Sequence, residues 1–273
     1  ATVLMATMYT FMIFGLAELS SSLPTAGGGY SFARRAMGPW GGFLTGTAIL
    51  LEYTIAPAAI AVFIGGYINE LTGFSGPAIY AGFYIVFVGI HLFGVGEALK
   101  IMMVITSIAV IALLVFAIGL IPHFDYNNLF DIAVNEQAVG SSSFLPQGYV
   151  GIWSAIPFAI WLFLAIEGVP LAAEETANPG KDMPKGIITA MVILLIFAGV
   201  VLVLAPGVAG SELKKDHGAP LVVALQVAYG ENSSIATFVN VVGLFGLTAS
   251  FFSIIFAYSR QVFALSRAGY LPR

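Results

Sequence analysis

The chain has 273 residues, of which 59% are hydrophobic and only 9% are charged, and its net charge is -4. Soluble domains carry roughly a quarter charged residues, so this composition excludes a water-soluble enzyme. The chain has no cysteine and only three scattered histidines, so we predict no metal site and no cofactor. Its few basic residues form no stripe that would neutralise phosphates, which argues against nucleic acid as a partner. The predicted partner medium is the lipid bilayer.

Seven apolar runs are long enough to be membrane helices, which need roughly 20 mostly apolar residues. They cover residues 2–22, 40–66, 77–95, 100–121, 150–172, 186–205 and 234–258. Turns rich in glycine, proline, serine and charged residues separate them. We therefore predict an all-α, multi-pass protein of the cell's inner (plasma) membrane, with a single transmembrane domain over residues 1–273.

The basic residues orient the predicted spans, because seven crossings place successive loops on alternate sides. One side, here named the basic face, carries most of the ten Lys and Arg residues, namely Arg34, Arg35, Lys100, Lys181, Lys185, Arg260, Arg267 and Arg273. The other side carries Lys214 and Lys215. Cytoplasmic loops are enriched in Lys and Arg, so the basic face is predicted to be cytoplasmic. This orientation starts the first span outside the cell, and we expect an interior fragment with at least one span upstream.

Two glutamates fall deep inside apolar runs. Glu52 lies near the middle of the second run and Glu167 lies deep in the fifth. A charged side chain at the bilayer centre is costly, so such groups are functional candidates. Neither run contains a basic partner. Each carboxyl group is then expected to be protonated, bonded to a broken backbone, or matched by a proton, sodium ion or substrate amine. A neutral glutamate that bonds between helices is the alternative.

The fifth run is the most interrupted, and Glu167 lies within the interruption. Pro170 removes a backbone donor and clashes with the carbonyl of Ile166, while Gly168 tolerates non-helical dihedral angles. The carbonyls of Leu164, Ala165 and Ile166 are then expected to need a donor. Broken helices are the usual substrate site of secondary transporters. An ammonium group donates three hydrogen bonds and suits carbonyls beside a carboxylate.

Two aromatic residues precede this predicted break. Trp161 and Phe163 are candidates for a cation–π wall or a gate over a bound ammonium. Aromatics make up 13% of the chain, so position alone does not separate this role from that of lipid-facing or core residues.

Four ordered segments resemble the amino acid–polyamine–organocation permeases. Residues 18–30, ELSSSLPTAGGGY, look like the stretch that ends the family's second helix, and residues 51–53, LEY, are similar to a motif of the third. Residues 173–184, AEETANPGKDMP, resemble the loop after the sixth helix, and residues 259–272, SRQVFALSRAGYLP, the loop after the eighth. These matches extend over nearly the whole chain.

The resemblance implies a LeuT-like inverted-repeat transporter fold, in which the seven runs correspond to helices two to eight of about twelve. It places Trp161 on the aromatic residue that closes over substrate and Glu167 on the acidic position after the break. Ala165 falls where the family usually has an unwinding glycine. Because alanine departs from that pattern, Gly168 is the alternative residue for the break.

The resemblance also implies ion coupling. Glu52 is the candidate for a proton-coupling or supporting role. Many proton-coupled relatives have a lysine in the fifth helix where this chain has Ala109, so that route is unsupported. Thr248, Ser250 and Ser253 are candidates for holding sodium instead, although hydroxyls in spans commonly serve helix packing.

Within the family, residues 163–169 and 52–62 look most like ethanolamine permeases. Ethanolamine carries an ammonium group and no carboxylate, which suits a site with surplus acid. We therefore predict a secondary transporter that imports ethanolamine or a similar small amine by alternating access. An amino acid or polyamine carrier of the same fold is one alternative, and a non-transporting amine receptor or scaffold is the alternative from another class.

Overall fold

The computed structural model describes residues 1–92, 95–214, 219–231 and 233–272. These residues form eight α-helices and short 3-10 helices, and the part of the chain so described contains no strand. The α-helices are α1 Thr2–Ser22, α2 Gly28–Thr72, α3 Pro77–Leu92, α4 Val95–Leu120, α5 Gly148–Trp161, α6 Pro179–Ala209, α7 Pro220–Tyr229 and α8 Ser234–Arg267. Two of the predicted basic residues, Lys215 and Arg273, lie outside the described residues.

Six helical segments of the described chain are long and apolar enough to cross a membrane. They contain α1, α2, α4, α6 and α8, together with a segment that joins α5 to the 3-10 helix Ile166–Glu175. The prediction of an all-α membrane protein is confirmed. The helix within the third predicted run, α3, has 16 described residues, and residues 93–94 of that run lie outside the description.

The helices differ most from the apolar runs at the start of α2 and at α7. Helix α2 begins 12 residues before the second run because residues 28–37 continue a helix that kinks at Gly38, where φ is 75°. That amphipathic stretch contains Arg34 and Arg35, so hydropathy alone does not mark it. Helix α7 was not predicted, because its 10 residues are too few to span a bilayer. It packs against α6 and α8 and buries Val222, Ala224 and Leu225.

Packing of α2 against α8 forms the centre of the fold. Their shared core is aromatic, with Tyr53, Phe251 and Phe252 each at most 1% exposed. A second core joins α1, α5 and α6 around Phe163 and Ile187. Close helix approach is specified at Gly46, where an added Cβ atom would lie 2.7 Å from the Leu265 side chain. The break after α5 lies between these two cores.

Candidate functional site

The fifth predicted run is broken inside the membrane segment. Helix α5 ends at Trp161, and the chain resumes as the 3-10 helix Ile166–Glu175. Between them Ala165 adopts a left-handed conformation, with φ 72° and ψ 0°. Among the described residues, Ala165 is the only non-glycine residue with a positive φ. The left-handed residue of the break is therefore Ala165, and Gly168 does not take that role.

Some backbone carbonyls near the break accept hydrogen bonds from amides of the same segment. The backbone amides of Leu162 and Phe163 both donate to the carbonyl of Ile160. The amide of Gly168 donates to the carbonyl of Ala165 at 3.0 Å, so that carbonyl has a partner. In a 3-10 helix each amide bonds the carbonyl three residues earlier. Pro170 has no amide hydrogen, so the carbonyl without its helical donor is that of Glu167.

A cluster of polar side chains lies against the broken segment. The Tyr53 hydroxyl of α2 donates to Oε1 of Glu167 at 3.3 Å. Glu52 of α2 lies beside Glu167, close enough for the two carboxyl groups to interact. Oε1 of Glu52 is buried and has no hydrogen-bond partner among the described residues. The two predicted carboxyl groups thus share one site, although 115 positions separate them in the sequence.

Two tyrosines of this cluster, Tyr9 and Tyr53, were not predicted as site residues. Tyr9 of α1 has both Glu52 and Glu167 as electrostatic neighbours, so three helical segments surround the carboxyl pair. Gly168 gives the Tyr53 hydroxyl room to approach, because an added Cβ atom would lie 2.9 Å from it. The L-E-Y motif contains Tyr53, but sequence alone gave no reason to pair it with Glu167.

The other predicted residues of the break have different surroundings. Trp161 is 43% exposed and meets Phe63 edge-on, with ring centroids 6.2 Å apart. Phe163 is 1% exposed and packs against Tyr9 at 5.5 Å, so it is a core residue that also supports the cluster. Leu164 packs against the α2–α8 core, whereas Ile166 is buried in the core around α1.

The three hydroxyls proposed for sodium do not converge. Thr248 is buried and Ser250 is exposed, although both lie on α8. On an α-helix Thr248 lies about 160° from Ser250 and about 140° from Ser253, so Thr248 faces away from the two serines. The Ser253 hydroxyl donates to the carbonyl of Ala249 at 2.7 Å and also lies 3.0 Å from the sulfur of Met102.

A mostly apolar cavity of about 840 Å³ borders the break. Ala165, Gly168 and Val169 line one side of it, and Ser253 and Phe256 of α8 line another. The cavity and the carboxyl cluster therefore flank the same broken segment. Apolar binding pockets with a few polar groups are the usual form of small-molecule sites.

The broken segment is tied to the end of α8 by two ion pairs. Arg260 pairs with Glu175, and Arg267 pairs with Glu174 at 3.0 Å. Glu174 also accepts a hydrogen bond from the backbone amide of Ala26 at 3.0 Å. These contacts hold the end of the 3-10 helix against two of the four segments that resemble permease motifs.

Comparison with known proteins identifies the group to which this architecture belongs. The sequence model of the family described as "Amino acid permease" matches residues 1–273. The chain belongs to the amino acid permease family. It is accordingly a multi-pass protein of the plasma membrane and a member of a family of transporters. The family match supports the wider permease resemblance, and it does not assign ethanolamine as the substrate.

Curated relatives extend the family assignment. An uncharacterized transporter of Rhizobium meliloti (strain 1021) is 29% identical over 97% of this chain and 57% of its own length. A branched-chain amino acid permease of Bacillus subtilis (strain 168) is 29% identical over 96% of this chain and 58% of its own. A methylthioribose transporter of that strain is 29% identical, with coverages of 95% and 57%. The chain thus spans a little over half the length of these relatives.

Proposed function

We propose that this chain forms the ammonium-binding part of a secondary transporter that moves a small amine or an amino acid by alternating access. The observation that carries the proposal is the carboxyl pair of Glu52 and Glu167 beside the broken helix, with the Tyr53 hydroxyl bonded to Glu167. Two neighbouring carboxylates disfavour each other's charge, and a bound cation relieves that repulsion. A substrate ammonium supplies both the positive charge and three donors.

The complete carrier is part of this proposal, because the chain spans a little over half the length of its relatives. We assign the seven predicted spans to helices two to eight of a LeuT-like carrier, and the short α7 to the connection between α6 and α8. The remaining helices would complete the substrate pocket, so the 273-residue chain by itself is expected not to transport. The experiments below therefore use the complete carrier.

Glu52 is the proposed site of ion coupling. Its Oε1 is buried and has no hydrogen-bond partner in the described part of the chain, whereas Glu167 already accepts a hydrogen bond from Tyr53. A proton on Glu52 would leave Glu167 ionised for the substrate ammonium, so that proton and substrate would enter together. Sodium coupling through Thr248, Ser250 and Ser253 is the alternative, and their divergent positions on α8 do not favour a shared ion.

The choice of substrate follows from the space beside the broken segment. An apolar cavity of about 840 Å³ offers room for the hydrocarbon side chain of an amino acid. A relative named as a branched-chain amino acid permease supports this class. We therefore propose an amino acid with an apolar side chain as the first candidate. Ethanolamine stays the second, because its lack of a carboxylate suits a site with two acids.

Counterflow in proteoliposomes tests the transport function and its substrate together. Labelled leucine should enter vesicles preloaded with unlabelled leucine, and excess ethanolamine should compete weakly. The reverse order of competition would favour ethanolamine. Substrate binding without counterflow would instead identify a receptor.

Glu167→Gln tests the site. Charge-assisted hydrogen bonds contribute about 1.5–3 kcal/mol, so the variant should bind substrate at least about tenfold more weakly. Glu70→Gln is the matched control, since Glu70 is exposed near the end of α2. Unchanged affinity in Glu167→Gln would remove that residue from the site.

Glu52→Gln tests the coupling. The variant should retain counterflow but lose the stimulation of uptake by an inward proton gradient. Full stimulation by the proton gradient in this variant would contradict the assignment. Stimulation by a sodium gradient in the unmodified carrier would favour the sodium alternative.

A further inference from the structure

A second pocket lies on the basic face, and neither Glu52 nor Glu167 lines it. Its volume is about 480 Å³, and three arginines line it, namely Arg34, Arg35 and Arg267. Thr25 and Ser31 add hydroxyl groups to the same lining. Arg34 and Arg35 come from the start of α2, before its kink at Gly38, whereas Arg267 is the last residue of α8. The fold therefore gathers three positive charges around one cavity.

Two of the arginines are held in position. Arg34 donates to the Tyr30 hydroxyl at 2.7 Å. Arg267 pairs with Glu174 at 3.0 Å, and its guanidinium lies 5.1 Å from the centre of the Phe263 ring. A guanidinium has five N–H donors, so each of these contacts leaves donors available. The described lining of the pocket includes no acidic side chain.

Other polar groups of the pocket lack partners. Arg35 is exposed and makes no hydrogen bond or ion pair among the described residues. Oγ1 of Thr25 is buried and also has no partner in that part of the chain. Positive charge placed only to orient a membrane protein does not need to gather three arginines and an unpaired buried hydroxyl around one open pocket. These features point to an anionic ligand that accepts hydrogen bonds from several directions.

The position of the pocket indicates where the anion comes from. Trp40 and Met37, which lie just beyond Arg34 and Arg35 in α2, are 76% and 64% exposed. Tryptophan is enriched at the level of the lipid headgroups. Basic pockets at this depth bind the phosphates of anionic lipids, and arginine matches phosphate with two parallel hydrogen bonds.

We infer that the pocket formed by Arg34, Arg35 and Arg267 binds a phosphate group, supplied by the headgroup of an anionic phospholipid. The site lies between the beginning of α2 and the end of α8, next to the ion pairs that hold the end of the broken segment. A lipid bound there would brace these elements against each other. This site is independent of the substrate proposal.

Native mass spectrometry of the delipidated complete carrier tests the site. Phosphatidylglycerol should bind at least about fivefold more tightly than phosphatidylcholine with the same acyl chains. Arg35→Gln should lower the affinity for phosphatidylglycerol about tenfold, which corresponds to about 1.4 kcal/mol of binding free energy. Arg35 has no described partner to lose, so the folded state should be unaffected, and a thermal melt verifies this. Lys185→Gln, an exposed basic position on the same face, is the matched control and should change nothing.

Inorganic phosphate and glycerol 3-phosphate form the second arm of the experiment. Weak displacement of phosphatidylglycerol by either anion supports the lipid as the source. Tight binding of a free anion, lost in Arg35→Gln, would retain the phosphate chemistry but overturn the lipid source. Equal binding of the two lipids with no binding of free phosphate would overturn the inference. Equal losses in Arg35→Gln and Lys185→Gln would also overturn it, because only overall charge would then matter.

Discussion

Ala165→Gly tests the geometry of the helix break through stability. Ala165 has φ 72°, and a left-handed conformation costs an L-residue roughly 1–2 kcal/mol. Glycine removes that cost, but its greater conformational freedom in the unfolded chain lowers the free energy of unfolding by about 0.5–1 kcal/mol. The expected net change is a gain of up to about 1 kcal/mol. Ala165 borders a cavity, so removal of its methyl group should cost little packing.

Ala155→Gly is the matched control for this prediction. Ala155 lies within α5 and is half-buried, as Ala165 is. Glycine there should cost about 0.5–1 kcal/mol, because the helix interior disfavours it. Thermal or denaturant unfolding of the complete carrier in detergent should therefore separate the two variants by about 1–2 kcal/mol. Equal destabilisation by both substitutions would mean that Ala165 is right-handed and that the break lies elsewhere.

Two further predictions concern packing and charge. Gly46→Ala should destabilise the carrier by about 1–3 kcal/mol, because its Cβ would lie 2.7 Å from Leu265. Gly15→Ala, inside α1 with no atom within 4 Å, should instead stabilise it by about 0.5–1 kcal/mol in the same thermal melt. Arg260→Gln should lower the free energy of unfolding by about 2 kcal/mol, less than the loss expected when one partner of a fully buried ion pair is removed. A double-mutant cycle with Glu175→Gln should show coupling between the two residues. Additive losses in that cycle would contradict a direct pair.

Hydropathy predicted the membrane helices because the cost of exposing a polar backbone to lipid applies to each segment separately. The first run, residues 2–22, coincides with α1, Thr2–Ser22. The local hydropathy pattern does not identify a helix that does not cross the bilayer. Residues 28–37 continue α2 as an amphipathic helix, and the short α7 is stabilised by packing against α6 and α8.

The carboxyl site was only partly predictable for a related reason. Burial cost marked Glu52 and Glu167 individually, because each lies in an apolar run without a basic residue. Their proximity depends on how α2 packs beside the broken segment, and no local pattern contains that information. Tyr9 was missed because it is one of 11 tyrosines, with nothing in its neighbours to distinguish it.

Pro170 predicted the interruption but not the residue that would turn. A proline removes one amide and disturbs the preceding turn, which covers several residues and leaves their dihedral angles open. Glycine is the residue that tolerates a left-handed angle most readily, which favoured Gly168. The structure instead needs Gly168 for space, because any Cβ there would lie 2.9 Å from the Tyr53 hydroxyl. Gly168 thus gives Tyr53 room to approach Glu167, while the chain turns three residues earlier at Ala165, so the polar contact and the backbone break lie in one short segment.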